Sequence, residues 1–261
     1  MNRFITIPIS HFCEKVRWAL DLSGLPYQEE GHMPMLHWRA TYGVGGRRTA
    51  PVLVLDQGPV LSDSTDALNE LSRRAPAMGL YGDTPEQRAE ILAWEERFDR
   101  KLGPSTRRWA YHYLLRDKPL LFSIFHHGVP RGEVSVFSAI FPLAAILMRR
   151  AMAVNQAGYE RSLERVAECF KAVEDALADG RPYLMGDRFS AADLTFAALS
   201  SILVAPDTLP VPLPPLDAYP AAMAAEITRH RDTVAGRFAL RLYANDRPRR
   251  PPVSLLRSLP G

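Results

Sequence analysis

Ser10 and Cys13 in the run Ser10-His11-Phe12-Cys13 stand at the spacing of a redox cysteine pair, but the first position holds a hydroxyl where such a pair has sulfur. The mouth of a helix presents unpaired N–H groups and the positive end of the helix dipole, which together favour an anion. A thiolate is such an anion. A hydroxyl beside it donates a hydrogen bond to the charged form and lowers the thiol's pKa. The bland role for Ser10 is to cap the helix, since serine is a preferred N-cap. Cys13 reads either as a reactive thiol at a helix N-terminus or as a buried structural cysteine.

Three further groups could complete a site. Thr49-Ala50-Pro51-Val52-Leu53 opens a strand with proline, which calls for a cis peptide bond or a plain strand start. A cis turn would offer the Ala50 backbone to an extended peptide. Asp63 and Ser64 open the next helix; Ser64 suits a carboxylate and Asp63 an ammonium, or the pair simply caps. His37, Arg39, Arg47 and Arg48 precede Pro51, as cations for a second carboxylate or as solvated loop residues. Trp109, Tyr111, Tyr113 and the run Val136 to Met148 read as an acceptor pocket or as core. His126-His127 has no acidic or cysteine partner at ligand spacing, so no metal is expected.

The elements that must position these groups alternate through the first eighty residues. Arg3 to Ile7 is a β-branched run, and Phe12 to Leu22 carries Phe12, Val16, Ala19 and Leu20 at helical spacing, closed by Ser23-Gly24. Tyr27 to His32 predicts a second strand, and Met35 to Tyr42 a short helix before the glycines at 43–46. Val52 to Leu55 and Val60-Leu61 predict a hairpin, and Ser64 to Arg74 a helix. This β-α-β-α-β-β-α order predicts a small α/β domain over residues 1–78, followed by a linker at 79–86. Residues 87–245 read as helical, with stripes such as Val166, Cys169, Phe170, Val173 and Leu177. Within them, 103–152 is broken by Pro119, Pro130, Gly132 and Pro142, and its elements have no clear bounds. Ser190 to Asp193 is a capping box before an apolar run, fixing a core helix. Residues 246–261, with RPRRPP and little to pack, read as a tail over the surface.

A chain of 261 residues is long enough for two domains at about 150 residues each. Its 47% hydrophobic and 23% charged residues exclude disorder. A net charge of +3 without a long basic run argues against a nucleic-acid surface. Two unlike cysteines argue against a disulfide scaffold and for a reducing compartment, hence the cytoplasm. The N-terminus lacks the apolar core of a signal peptide. Val134 to Met148 falls short of the roughly 20 residues of a membrane span, so a buried helix or pocket wall is expected.

Residues Ile5 to Arg74 resemble the thioredoxin-like N-terminal domain of the soluble glutathione S-transferases, in the branch whose active residue is a serine or cysteine before the first helix. Ser10 to Arg17, Ala50-Pro51-Val52-Leu53 and Asp63-Ser64 carry the resemblance, and Tyr183 to Leu199 resembles the buried helix of the family's second domain. The resemblance implies an α/β thioredoxin-like domain followed by an all-α domain. It implies a cytoplasmic, homodimeric detoxification enzyme that activates the glutathione thiol, without a metal, for attack on a small apolar electrophile. Ser10 would hydrogen-bond the glutathione sulfur and the Ala50 backbone its cysteinyl part, with Pro51 as the cis proline. Asp63 and Ser64 would hold the γ-glutamyl end, and one of His37, Arg48 and Thr49 the glycyl carboxylate. Cys13 matches the second cysteine of the redox pair in glutaredoxin-like relatives. That match leaves open thiol exchange or peroxide reduction through Cys13, and the fold also allows a noncatalytic binding or assembly protein. His11 stands where the family often has proline, and Asp63 where its usual acid is glutamate.

Overall fold

The computed structural model describes residues 1–249. Its N-terminal part is β1 (Asn2–Thr6), α1 (His11–Ser23), β2 (Tyr27–Gly31), α2 (His37–Gly43), β3 (Val52–Val54), β4 (Val60–Leu61) and α3 (Ser64–Arg74). The sheet order is β2-β1-β3-β4, with β1 parallel to β2 and antiparallel to β3, and β3 antiparallel to β4. This is a thioredoxin-like domain. The predicted elements recur within a few residues. The main shift, at α2, has a local cause: Met35 adopts φ 70, a left-handed conformation from which a right-handed helix does not start.

The second part is helical. Thr84 and Gln87 form a capping box for α4 (Pro85–Arg97), which runs through a π-turn at Phe98–Leu102 into α5 (Gly103–Leu114). Then follow α6 (Lys118–Phe125), α7 (Arg131–Ala151), α8 (Gln156–Ala176), α9 (Ala191–Val204), α10 (Ala221–Arg231) and α11 (Val234–Asn245). Helix α9 is buried almost throughout and packs against α1, α4, α5, α10 and α11. Leu194, Phe196, Leu199 and Leu203 are fully buried there, each contributing about 1.5–3 kcal/mol of apolar burial. Its first turn forms the box expected from Ser190 and Asp193: the Asp193 carboxylate accepts from Ser190 N (2.8 Å), Ser190 Oγ (2.7 Å) and Leu184 N (2.8 Å).

The segment 103–152 resolves into α5 and a pair, α6 and α7, lying beside the N-terminal domain. A Cβ on Gly31 would meet the Gly128 carbonyl at 2.1 Å, so glycine there permits the loop before α7 to rest on the end of β2. Glu133, in the first turn of α7, accepts from His32 Nδ1 (2.6 Å) and Met33 N (2.9 Å). At 21 residues α7 is long and apolar enough to cross a membrane, longer than the apolar run alone predicts. The expectation of a buried helix or pocket wall needs correcting for half of its surface. Phe137, Phe141, Ala144, Ala145 and Met148 are buried, whereas Val136, Ile140, Leu143, Ile146 and Leu147 are exposed.

Helix α1 lies between the sheet and the helical domain, and nearly every residue from His11 to Leu20 is buried, charged ones included. Each charge is answered. Lys15 Nζ meets Glu95 Oε1 (3.0 Å), Asp99 Oδ2 (2.8 Å) and Thr65 Oγ1 (3.1 Å). Burial pulls its pKa down, and the two carboxylates more than offset that, leaving it above the ordinary lysine value. Arg17 pairs with Glu14 and Glu29, both at 2.6 Å, and donates to the Pro8 carbonyl (2.9 Å). The second oxygen of Glu14 meets Arg247 Nε at 2.8 Å, and Arg247 also reaches Asp21 at 2.8 Å. Arg247 is 5% exposed, which corrects the expected surface tail at its start; residues 250–261 of that tail lie outside the described residues.

Breaking a buried pair by removing one partner strands the other charge. Lys15→Met is therefore expected to destabilise the protein by about 3–5 kcal/mol in urea denaturation. A loss below about 1 kcal/mol, the range of a surface pair, would show that the Lys15 cluster does not join the domains.

Candidate active site

Ser10 is the N-cap of α1, with an extended backbone (φ −65, ψ 125). Its N–H bonds the Ile7 carbonyl (2.8 Å) and its carbonyl accepts from Glu14 N (2.8 Å), so the backbone is fixed on both sides. The side chain makes no capping hydrogen bond. Ser10 lines a cavity of about 610 Å³ between the two domains, and its hydroxyl hydrogen-bonds the Cys13 thiol.

His37, Arg48, Thr49 and Ala50 line the same cavity. The Ala50–Pro51 peptide bond is cis, one of the two conformations that account for a proline at a strand start. The His37 side chain is turned to its own domain: Nε2 donates to the Arg48 carbonyl (3.0 Å), and burial lowers its pKa below the ordinary histidine value. It therefore holds the Arg48 loop as a neutral group. The Arg48 guanidinium lies over the Trp38 ring, 4.4 Å from its centroid.

Pro51, Asp63, Ser64 and Cys13 are not among the residues lining the cavity. Asp63 caps α3, its Oδ1 accepting from Thr65 N (2.8 Å) and Asp66 N (3.2 Å), so capping is one role it performs. Ser64 is buried on the first turn of α3. The pair sits beside the cavity wall, because Ser62 accepts from Arg47 N through its hydroxyl (3.0 Å) and from the Thr49 hydroxyl through its carbonyl (3.5 Å). Cys13 has 0% exposure. Burial pushes its thiol up to about 12, against the opposing pull of Arg17. Such a thiol is protonated at neutral pH.

The opposite wall is apolar and comes from the helical domain: Ala110, Tyr111 and Leu114 of α5, Ile124 and Phe125 of α6, and Leu147 and Met148 of α7 all line the cavity. Of the three aromatic candidates on α5, only Tyr111 does so. Trp109 and Tyr113 instead donate to Glu226 of α10. Among the described residues, no group of three or more His, Cys, Asp or Glu side chains is placed to hold a metal.

Among the cavity residues that escaped the sequence reading, two bear on its electrostatics. Arg107 of α5 lines the cavity. His11, in the place where the resemblance expected proline, also lines it. Its Nε2 donates to the Gly103 carbonyl at 2.8 Å, joining the two domains. Burial, reinforced by the Arg107 charge, pushes its pKa down to about 3.

A family model for the glutathione S-transferase N-terminal domain matches residues 4–79, and one for the C-terminal domain matches residues 156–224, together more than half of the chain. The chain belongs to the soluble glutathione S-transferase family. Among solved structures it is similar to a glutathione transferase from Populus trichocarpa, at 15% identity and a TM-score of 0.57, over 94% of this chain and 99% of that one. It is similar to a theta-class glutathione S-transferase from Xanthomonas axonopodis pv. citri, solved with glutathione bound, at 19% identity and 0.54, over 92% and 96%. A glutathione S-transferase from Methylobacterium radiotolerans, in complex with glutathione sulfonate, gives 17% and 0.55, over 92% and 94%. At such identities the likeness is one of fold. No curated protein matches the sequence significantly. The two family matches leave out residues 80–155, which hold this transferase's α6 and α7 and much of its apolar wall.

His11 gives the transferase a pH signature. Its pKa is about 3 in the fold against about 6.5 in the unfolded chain. Between those values the unfolded state binds a proton that the native state refuses, so stability falls as pH drops, by up to about 1.4 kcal/mol per unit. His11→Gln keeps a donor for the Gly103 carbonyl and removes the titration. In urea denaturation from pH 7 to pH 4, the wild type is expected to lose stability more steeply than the variant. Parallel slopes would contradict a buried neutral His11.

Proposed function

We propose that this glutathione S-transferase belongs to the branch whose active residue is a serine or cysteine, and conjugates glutathione to a small, largely apolar electrophile. Glutathione binds along the N-terminal wall of the cavity with its sulfur against the Ser10 hydroxyl. The observation that carries this reading is Ser10 itself, which stands at the N-cap without a cap bond and lines the cavity, its hydroxyl already disposed to donate to a sulfur, that of Cys13. A hydroxyl donor and the positive end of α1 together favour a thiolate, lowering the thiol pKa by about one to two units.

The remaining roles follow the same logic. The Ala50 backbone, exposed by the cis turn, pairs with the cysteinyl part of the tripeptide. Asp63 Oδ1 is engaged in capping, and its other oxygen receives the γ-glutamyl ammonium, with Ser64 beside it for the carboxylate. Arg48 and Thr49 meet the glycyl carboxylate, and His37 supports them from behind through the Arg48 carbonyl. The bound glutathione and glutathione sulfonate in the Xanthomonas and Methylobacterium proteins support this choice of co-substrate. Burial of Cys13 argues against thiol exchange through that residue. Two free cysteines support a cytoplasmic setting, and family membership supports a homodimer with a role in detoxification.

Glutathione binding is expected by calorimetry, with the bound thiol ionising at or below pH 8 by ultraviolet absorbance. Ser10→Ala is expected to raise that pKa by about one unit and to slow conjugation at pH 7 about tenfold, whereas Cys13→Ala leaves the thiol pKa in place. Failure to bind glutathione would point to a noncatalytic protein. Conjugation that survives Ser10→Ala and disappears with Cys13→Ala would transfer the chemistry to the buried thiol.

A further inference from the structure

Helix α5 faces the cavity with Arg107, Ala110, Tyr111 and Leu114, at the three-to-four spacing of one helix face. Arg107 is out of place on that face. Its Nε is sealed from solvent without an acceptor, and among the described residues its guanidinium forms no hydrogen bond and no ion pair. The adjacent Arg108 shows the usual alternative: it donates to the Met152 carbonyl (2.7 Å) and to the Ser162 hydroxyl (2.9 Å). Tyr111, one turn beyond Arg107, is buried, and among the described residues its hydroxyl also makes no hydrogen bond.

A guanidinium keeps its charge at any working pH; that of Arg107 is half-buried with its Nε sealed, and leaving it without a counter-charge beside an apolar wall is unfavourable. The ionisable groups beside it offer no relief. His11 is held neutral and is itself depressed by the Arg107 charge, and burial pushes the Tyr111 phenol up to about 12. Arg107 belongs to the helical wall with Leu114, Ile124, Phe125 and Met148, whereas Arg48, Thr49 and His37 stand on the thioredoxin-like wall.

We infer that the electrophile is an amphipathic acid, whose carboxylate pairs with Arg107 and accepts from Tyr111 while its apolar body lies against Leu114, Ile124, Phe125 and Met148. This rests on the proposed binding of glutathione to the other wall. Arg107 is thereby a specificity-determining residue, and the carboxylate takes no part in the bond changes. With an aryl chloride bearing such a group, the glutathione sulfur donates an electron pair to the ring carbon, and a C–S bond forms as the C–Cl bond breaks. Chloride leaves with the bonding pair and the thiol proton passes to solvent, so nothing is oxidised or reduced overall.

The test uses the full chain and two probes, 4-chloro-3-nitrobenzoate and its methyl ester. Binding of each is measured by calorimetry without glutathione, and conjugation is measured with it. A charge-assisted pair corresponds to roughly ten- to hundredfold in affinity, so the wild type is expected to prefer the acid by at least tenfold. In Arg107→Met that preference collapses toward one, and Arg107→Lys is intermediate. The methionine variant is expected to melt at the same or a higher temperature, since an unpaired, half-buried charge is gone. Equal binding of acid and ester by the wild type overturns the inference. So does an Arg107→Met variant that keeps the preference. A third overturning result is weaker glutathione binding, or a raised bound-thiol pKa, in that variant with the acid preference intact, because Arg107's anion is then glutathione's own. Absence of glutathione binding in the wild type defeats the co-substrate reading instead, and the acid–ester comparison still decides for or against the Arg107 pairing.

Discussion

A helix that is buried on every side can keep charged residues only if each of them finds an opposite charge inside the protein. Helix α1 is such a helix, and most of the architecture follows from answering its charges. Lys15 draws Glu95 and Asp99, and with them the long helix that begins the second domain. Arg17 draws Glu14 and Glu29, tying the helix to the edge strand β2. The Lys15 pairs join the two domains, and Ser10 and His11 at the N-terminus of α1 line the cavity between them. Ser10 and His11 stand there because their helix is fixed from three directions.

The cavity inherits the difference between its walls. The thioredoxin-like wall is made of loops and helix ends, and sets the hydroxyls of Ser10 and Thr49, the Arg48 guanidinium and the Ala50 backbone beside apolar residues such as Ile9 and Trp38. The helical wall is made of side chains projecting from α5, α6 and α7, and suits an apolar body. The proposed conjugation would use this division, with donors on one wall for the nucleophile and apolar contact on the other for the electrophile. Helices α6 and α7 contribute much of the second wall, and they fall between the two stretches in which the chain matches the family models.

The legible elements of both domains have local signals. Ser23-Gly24 ends α1, Asp63 caps α3, and Ser190 with Asp193 caps α9, each within a few residues of what it acts on. From the sequence Ser10 reads as a cap or as a site residue, and the structure gives it no capping bond and a place on the cavity. What was missed has its partners far away in sequence. His11 bonds Gly103, Glu133 bonds His32, and Arg247 bonds Glu14; no window of neighbouring residues contains either half of those pairs together. Helix α7 defeated composition in another way, since its apolar residues line a cavity and the core on one side and face outward on the other. Arg107 carried no signal at all, standing beside a second arginine with an ordinary structural role.

The bond between Arg247 and Glu14 also bears on how the protein is made. Glu14 is synthesised more than two hundred residues before Arg247, one of its two cations. Until that arginine emerges, the carboxylate has Arg17 alone, and the first domain lacks one of its buried pairs. A nascent chain therefore has a provisional first domain, completed only when the segment that carries Arg247 folds back onto α1.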